Sequence, residues 1–242
     1  MCIRDRSCGQ HPYGGYLVSL ALFDLDNTLL DGDSDYLWGQ FLVENHIVER
    51  GYYERENQRF YDEYLAGSLD ILEFLRFQLR PLAENDAERL FHWRDRFMEE
   101  KISPAMLEEA RKLIAWHRSK GDIPVIITAT NRFITGPIAE RFEIDHLLAT
   151  EPEMKEGRYT GMVSGTPCFQ DGKIMHLEAW LEEHGHSLED SWFYSDSHND
   201  LPLLRLVTHP VAVDPDEILD RHAGIEGWPV ISLRQPSTSR HP

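Results

Sequence analysis

The chain has 242 residues and a formal net charge of −18, from 42 acidic and 24 basic side chains. So acidic a surface repels nucleic-acid backbones and anionic membranes, and no run of Lys and Arg offsets it. Apolar residues make up 41%, enough for the core of one large domain or of one domain carrying an insert. The three cysteines, Cys2, Cys8 and Cys168, fit neither a disulfide framework nor a zinc cluster, which points to a reducing compartment and a cytoplasmic protein.

Residues 1–15 lack the apolar stretch of a signal peptide and read as a disordered leader. From Tyr16, the run YLVSLALFDLDNT reads as a buried strand that ends in an acidic loop. The longest apolar runs, Leu17 to Phe23 and Ile123 to Ile127, are too short to span a bilayer. From 30 to 105 the pattern is helical throughout, with Gly51 and Pro81 as punctuation between helices. This is an all-helical insert, which leaves 16–29 and 106–233 as the core.

Pro104 then marks a helix start, and Met106 to Gly121 reads as that helix. Ile123 to Thr130 reads as a strand, Arg132 to Phe142 as a helix and Ile144 to Thr150 as a short strand. Glu151 to Phe169 reads as a hairpin-like excursion with Gly157, Gly161 and Gly165 as turn signals. Gly172 to Gly185 is helical, Ser191 to Ser197 is a strand ending in acid, and NDLPLLRL opens another helix before the strand in VTHPVAVDPD. Residues 234–242 read as a loose tail. Repeated strand–helix units predict an α/β fold, a Rossmann-like parallel sheet with right-handed crossovers.

Open parallel sheets hold ligands at the carboxyl ends of their strands. Polar residues collect at those ends here: Asp24, Asp26 and Thr28, then Thr128, then Asp196 with Asn199 and Asp200, while Lys173 opens a helix between the last two groups. Asp24 and Asp26 lie two apart on an extended segment, so they point the same way and either repel or share a cation. Mg²⁺, which takes hard oxygens, suits them. Asp24 can offer one oxygen to the metal and attack a phosphoryl group with the other, and Asp26 can then act as acid and base. Alternatively both are plain ligands and water attacks directly. Lys173 sits at the helix end that prefers anions, which suggests that it neutralises phosphoryl oxygens or Asp24. Asp200 is placed to hold a metal-bound water or to pin Lys173, and Asn199 to fix the loop, with helix capping as a second role. The twelve histidines are scattered and read as surface residues, although His198 lies inside the acidic loop.

These motifs resemble the haloacid dehalogenase (HAD) superfamily, and within it the phosphoserine-phosphatase-like branch, subfamily IB, with a type C1 helical cap. FDLDNT resembles the first motif, Thr128 in VIITAT the second, Lys173 in GKIMHLEAWL the third and SDSHND the fourth. The resemblance implies a nucleophile at Asp24, an acid/base at Asp26, and catalytic Thr128 and Lys173. It implies Mg²⁺ held by Asp24, Asp196 and the Asp26 main-chain oxygen, with Thr28, Asn199 and Asp200 in support. The implied activity is hydrolysis of a small phosphorylated metabolite through an aspartyl phosphate, by a monomer or small homo-oligomer. Asp33 stands where phosphoserine phosphatases carry a Glu for the substrate amine. Their cap Arg is missing from SLDILEF, so Arg59 or Arg76 would have to substitute, and Thr128-Ala129 replaces their SG pair. A retained acid without the carboxylate clamp favours an amino alcohol phosphate such as histidinol phosphate. Phosphoserine hydrolysis, transfer to an alcohol acceptor and an inactive phosphate-binding module are the alternatives.

Overall fold

A computed structural model describes residues 18–65 and 68–234. The expected leader, 1–15, and all but the first residue of the expected tail lie outside this range. That first residue, Arg234, is anchored rather than loose: its guanidinium pairs with Asp31 at 2.9 Å and Asp214 at 3.4 Å and donates to the Asn27 carbonyl at 3.2 Å.

The expected parallel sheet is present. Its strands are β1 (Leu20–Phe23), β2 (Ile123–Asn131), β3 (His146–Lys155), β4 (Arg158–Ser164), β5 (Trp192–Ser195), β6 (His209–Val213) and β7 (Val230–Ile231). They are ordered β4-β3-β2-β1-β5-β6-β7, all pairs parallel except the β3–β4 hairpin. The chain winds one way from β1 to β3 and then crosses to β5 on the other side, so β1 stands at the switch point where such sheets bind ligands. Register sharpens this: Phe23 is level with Ile126 and with Tyr194. One step on is Asp24, and Thr128 and Asp196 follow two steps on along the flanking strands.

Alternate residues of the short strands feed two apolar layers. Leu20, Leu22, Val125, Ile127 and Phe193 face one way. Ala21, Phe23 and Ile126 face the other, in one cluster with Trp38, Phe41, Leu79 and Phe97 from the helical insert. The insert thus shares a core with one face of the sheet.

The insert consists of α1 (Ser34–Glu44), α2 (Arg50–Leu65), α3 (Ile71–Glu84) and α4 (Ala87–Phe97), then a π-helical segment, Met98–Ile102, and a short α5 (Ser103–Ala105). Asp33, Asp70 and Asp86 cap α1, α3 and α4 through their carboxylates. Gly51 and Pro81, expected to punctuate helices, lie inside α2 and α3 instead. A proline removes only one ladder bond, and the buried face of α3, with Leu75, Leu79 and Leu82, outweighs that loss.

The next helix, α6 (Glu108–Lys120), starts two residues later than expected. Met106 and Leu107 are extended because they pair with the chain entering the insert. Leu30 bridges Met106, Asp31 N donates to Ala105 O at 2.7 Å and Leu107 N to Leu29 O at 3.2 Å. The remaining helices are α7 (Arg132–Arg141), α8 (Asp171–His184), the short α9 (Leu201–Leu204) and α10 (Glu217–Glu226). Among the described residues no helix is long and apolar enough to cross a membrane.

Candidate active site

Asp24 is the first residue past β1, held in line by its N–H, which donates to Tyr194 O on β5 at 2.9 Å. Its side chain is buried, and Lys173 Nζ donates to Oδ1 at 2.7 Å. The same ammonium donates to Asp200 Oδ2 at 2.8 Å, and Ser195 Oγ donates to that oxygen at 2.7 Å. Lys173, 5% exposed, is thus clamped between two carboxylates. Burial works against its charge, but Asp200 and Asp24 outweigh burial and hold its pKa above the ordinary lysine value.

What brings Lys173 this deep is its neighbour. A Cβ on Gly172 would lie 1.9 Å from the Pro167 carbonyl oxygen, so only glycine lets the first turn of α8 press against that loop.

Asp26 lies in the loop that follows. Its Oδ1 accepts from Ser34 N at 2.7 Å, and its Oδ2 from Thr130 Oγ1 at 2.9 Å and Thr128 Oγ1 at 3.3 Å. Thr128 Oγ1 also accepts from Thr130 N at 3.2 Å. Thr28 fastens β1's loop to β5: its Oγ1 donates to Asp196 Oδ1 at 3.2 Å and accepts from Asp196 N at 3.1 Å. Asn199 follows Ser197, whose hydroxyl caps that turn, and accepts from Gln170 Nε2 at 3.1 Å. Every residue expected at the site from the four motifs is therefore gathered at one edge of the sheet.

Charge is out of balance here. Asp24, Asp26, Asp196 and Asp200 face a single ammonium. Burial, eased by Lys173 but reinforced by Asp200, Asp196 and Asp26, raises the Asp24 pKa well above the carboxylate range. Burial and Asp200 push Asp196 up to about 7. No group of three or more His, Cys, Asp or Glu side chains arranged for a metal occurs among the described residues. A set of two carboxylates, Asp24 and Asp196, and the Asp26 main-chain oxygen needs no third such side chain. Its hard oxygens and surplus negative charge fit a small divalent cation.

These residues floor a cavity of about 900 Å³ that extends under α1, α2 and α3. Asp33 lines it while its carboxylate accepts from Tyr36 N at 2.8 Å. It keeps exposed surface, yet the protein around the cavity desolvates it and Asp26 repels it, and together they push its pKa up to about 7. Neither Arg59 nor Arg76 lines this cavity. Both lie at a separate hollow, where Arg59 is taken up by Glu56, Glu63 and Glu73. The wall nearest SLDILEF is apolar, made by Leu69, Ile71, Phe74 and Leu75. Lys173 and Arg50 are the cations that line the cavity among the described residues.

Sequence reasoning missed Thr130, Ser195, Asp35 and Arg50. Thr130 carried a signal: it is two residues from Thr128 on one strand and so faces the same way. Arg50 carried none, because its place depends on how α2 lies over the sheet.

The model of the haloacid dehalogenase-like hydrolase family matches residues 21–205. A histidinol-phosphatase of Neisseria meningitidis is 44% identical over 222 residues, covering 90% of this chain and 100% of that protein. A Bordetella pertussis Tohama I protein of unknown function has a crystal structure that superposes with a TM-score of 0.86 at 40% identity, covering 90% of this chain and all of the other. A substrate-bound phosphoserine phosphatase superposes with a TM-score of 0.65 at 20% identity, covering 91% and 95% of the two chains, which speaks for the fold. The matched span runs from β1 through the acidic turn after β5 and takes in all three strand-end groups and Lys173: the chain belongs to the haloacid dehalogenase-like hydrolase family.

Proposed function

We propose that this chain is a Mg²⁺-dependent, cytoplasmic phosphatase that hydrolyses an amino alcohol phosphate of the histidinol phosphate kind through an aspartyl phosphate on Asp24. The observation that carries the chemistry is the buried Asp24–Lys173–Asp200 chain beside Asp26. With Oδ1 held by Lys173, Asp24 keeps Oδ2 for attack on phosphorus. As that P–O bond forms, the ester P–O bond breaks and Asp26 gives its proton to the leaving alkoxide. Water then attacks the same phosphorus, Asp26 takes its proton, and Asp24 leaves as a carboxylate. The amide of Ser34 and the hydroxyls of Thr130 and Thr128 orient Asp26 for both transfers. Mg²⁺, which Asp24, Asp196 and the Asp26 main-chain oxygen would hold, would supply positive charge to offset the phosphoryl group.

Support for the substrate comes from the cavity and from the full-length resemblance to the Neisseria enzyme. Asp33 offers a carboxylate to an ammonium, and an apolar wall stands where a carboxylate clamp would be needed. The test compares kcat/KM for histidinol phosphate, phosphoserine, phosphoethanolamine and p-nitrophenyl phosphate at one Mg²⁺ concentration. Histidinol phosphate is expected to lead. A lead for phosphoserine of about tenfold or more would sink the substrate reading and turn attention to Arg50 as a carboxylate partner.

The metal leaves a second mark. Asp24 and Asp196 hold protons to higher pH in the folded chain than in the unfolded one. Their contribution to stability is therefore greatest at low pH and is lost as pH rises from the carboxylate range to about 7. Mg²⁺ binds the ionised forms and offsets the loss. The rise in Tm on adding Mg²⁺ is expected to be larger at pH 8 than at pH 5, and EDTA should remove both the rise and the activity. An equal or larger rise at pH 5 would contradict the assigned ligands.

A further inference from the structure

Asp35 is the buried acid that this chemistry leaves unused. It stands in the first turn of α1, 8% exposed, and lines the cavity. Among the described residues no Lys, Arg or His pairs with it, and the charges that act on it, Asp33 and Asp26, share its sign. Asn131 turns its amide NH₂ to Asp35 Oδ1 at 3.3 Å and leaves its own Oδ1 buried without a partner. Burial, reinforced by Asp33 and Asp26, raises the Asp35 pKa well above the carboxylate range, and the Asn131 amide as oriented leaves Asp35 the acceptor. Thr130, whose hydroxyl is shared with Asp26, also hydrogen-bonds Asp35; a carboxyl group so buried still has acceptor capacity to spare, and its open side is the cavity.

The chemistry around Asp35 suits a flat ring. Burial and the nearby Asp35 raise the pKa of the Tyr53 phenol. Tyr53 donates to Gln78 Oε1 at 3.0 Å and lies against Gly39, where a Cβ would come within 2.4 Å of the phenol oxygen. Tyr36, Phe60, Tyr61 and Phe74 add aromatic wall. In an amino alcohol phosphate the ammonium sits one carbon from the phosphoester methylene. Asp33 precedes Ser34, whose amide binds Asp26 at 2.7 Å, and is the acid on that side; Asp35 lies two residues further on in α1, against Asn131.

Resting on the substrate reading above, we propose that Asp35 is a specificity residue that accepts the ring N–H of an imidazole-bearing amino alcohol phosphate, while Asp33 receives its ammonium. Asp35→Asn keeps the shape, removes the charge and imitates a permanently protonated acid. Against histidinol phosphate its kcat/KM is expected to fall about ten- to a hundredfold, mostly through KM. Phosphoethanolamine has the ammonium without the ring and p-nitrophenyl phosphate has neither, so both should stay within about threefold of wild type.

Equal loss on all three substrates would make Asp35 structural, and no loss on any would make it a silent protonated acid. A loss shared by phosphoethanolamine would make it an ammonium partner. Each of these overturns the assignment while leaving the wild-type preference intact. A wild type that does not prefer histidinol phosphate to phosphoethanolamine fails the substrate reading itself, and this assignment with it. If Asp35→Asn does not fold, Asp35→Glu keeps the charge but displaces it by a methylene, and must show the same selective loss.

Discussion

Asp24→Asn is expected to lose turnover by at least about a thousandfold on every substrate, the scale seen when an enzyme's nucleophile is removed. The amide fills the same space beside Lys173 and leaves the backbone bond to Tyr194 O in place, so folding should survive, and the loss should appear in kcat rather than KM. Wild type quenched in acid during turnover should carry one labelled phosphate on Asp24. Label on any other residue would reassign the nucleophile. A catalytically competent enzyme that never carries label would favour direct attack by water, with Asp24 as a plain ligand.

Lys173→Met should be nearly as damaging to activity and far more so to stability. The ammonium lies 2.7 Å from Asp24 and 2.8 Å from Asp200, and all three groups are buried. Removing it leaves two carboxyls facing each other out of water, a loss of about 3–5 kcal/mol for breaking a buried pair. Asp24, whose pKa the ammonium lowers, then holds its proton to still higher pH. The deficit should therefore be modest near pH 5 and grow as pH rises, and urea melts at pH 5.5 and 8 would show the difference. Adding Asp200→Asn to the Met variant should recover part of the stability and none of the turnover. A Met variant as stable as wild type at pH 8 would mean that the ammonium offsets no buried charge in the folded protein.

The catalytic edge was legible because its signal is local. FDLDNT and SDSHND each put acids directly after a buried strand, and parallel pairing then brings those strands side by side. Thr128 and Lys173 follow from the same rhythm. Elements fixed by tertiary packing were less readable. Gly51 and Pro81 carry helix-breaking propensities, which burial of the helix faces overrides. The sequence suggested a short strand ending at Thr150, yet β3 runs on to Lys155 because β4 pairs with it. Val230–Ile231 is too short to stand out as a strand and forms one by adding to β6. The cavity wall was the hardest part to read. Gly39, Tyr53 and Gln78 come from three helices, and no periodicity says that a missing Cβ in one makes room for a phenol in another.

The paired connectors have a consequence for how the fold tolerates change. The chain leaves the sheet at Leu30 and returns at Met106, and those two residues are bridged. From the sheet's side, residues 31–105 are a loop whose ends already touch. The entropy of closing such a loop grows only slowly with its length, so its contents can be lengthened, shortened or exchanged at modest cost. The strand register that sets Asp24 beside Thr128 and Asp196 lies wholly outside it. Two constraints bear on a replacement: it must bring an oily face of similar area to the layer that Trp38, Phe41 and Phe97 share with the sheet, and it must keep the Ser34 amide that holds Asp26. Swapping substrate range in this scaffold is thus a problem of matching one surface and keeping one amide, rather than of rebuilding a catalytic centre.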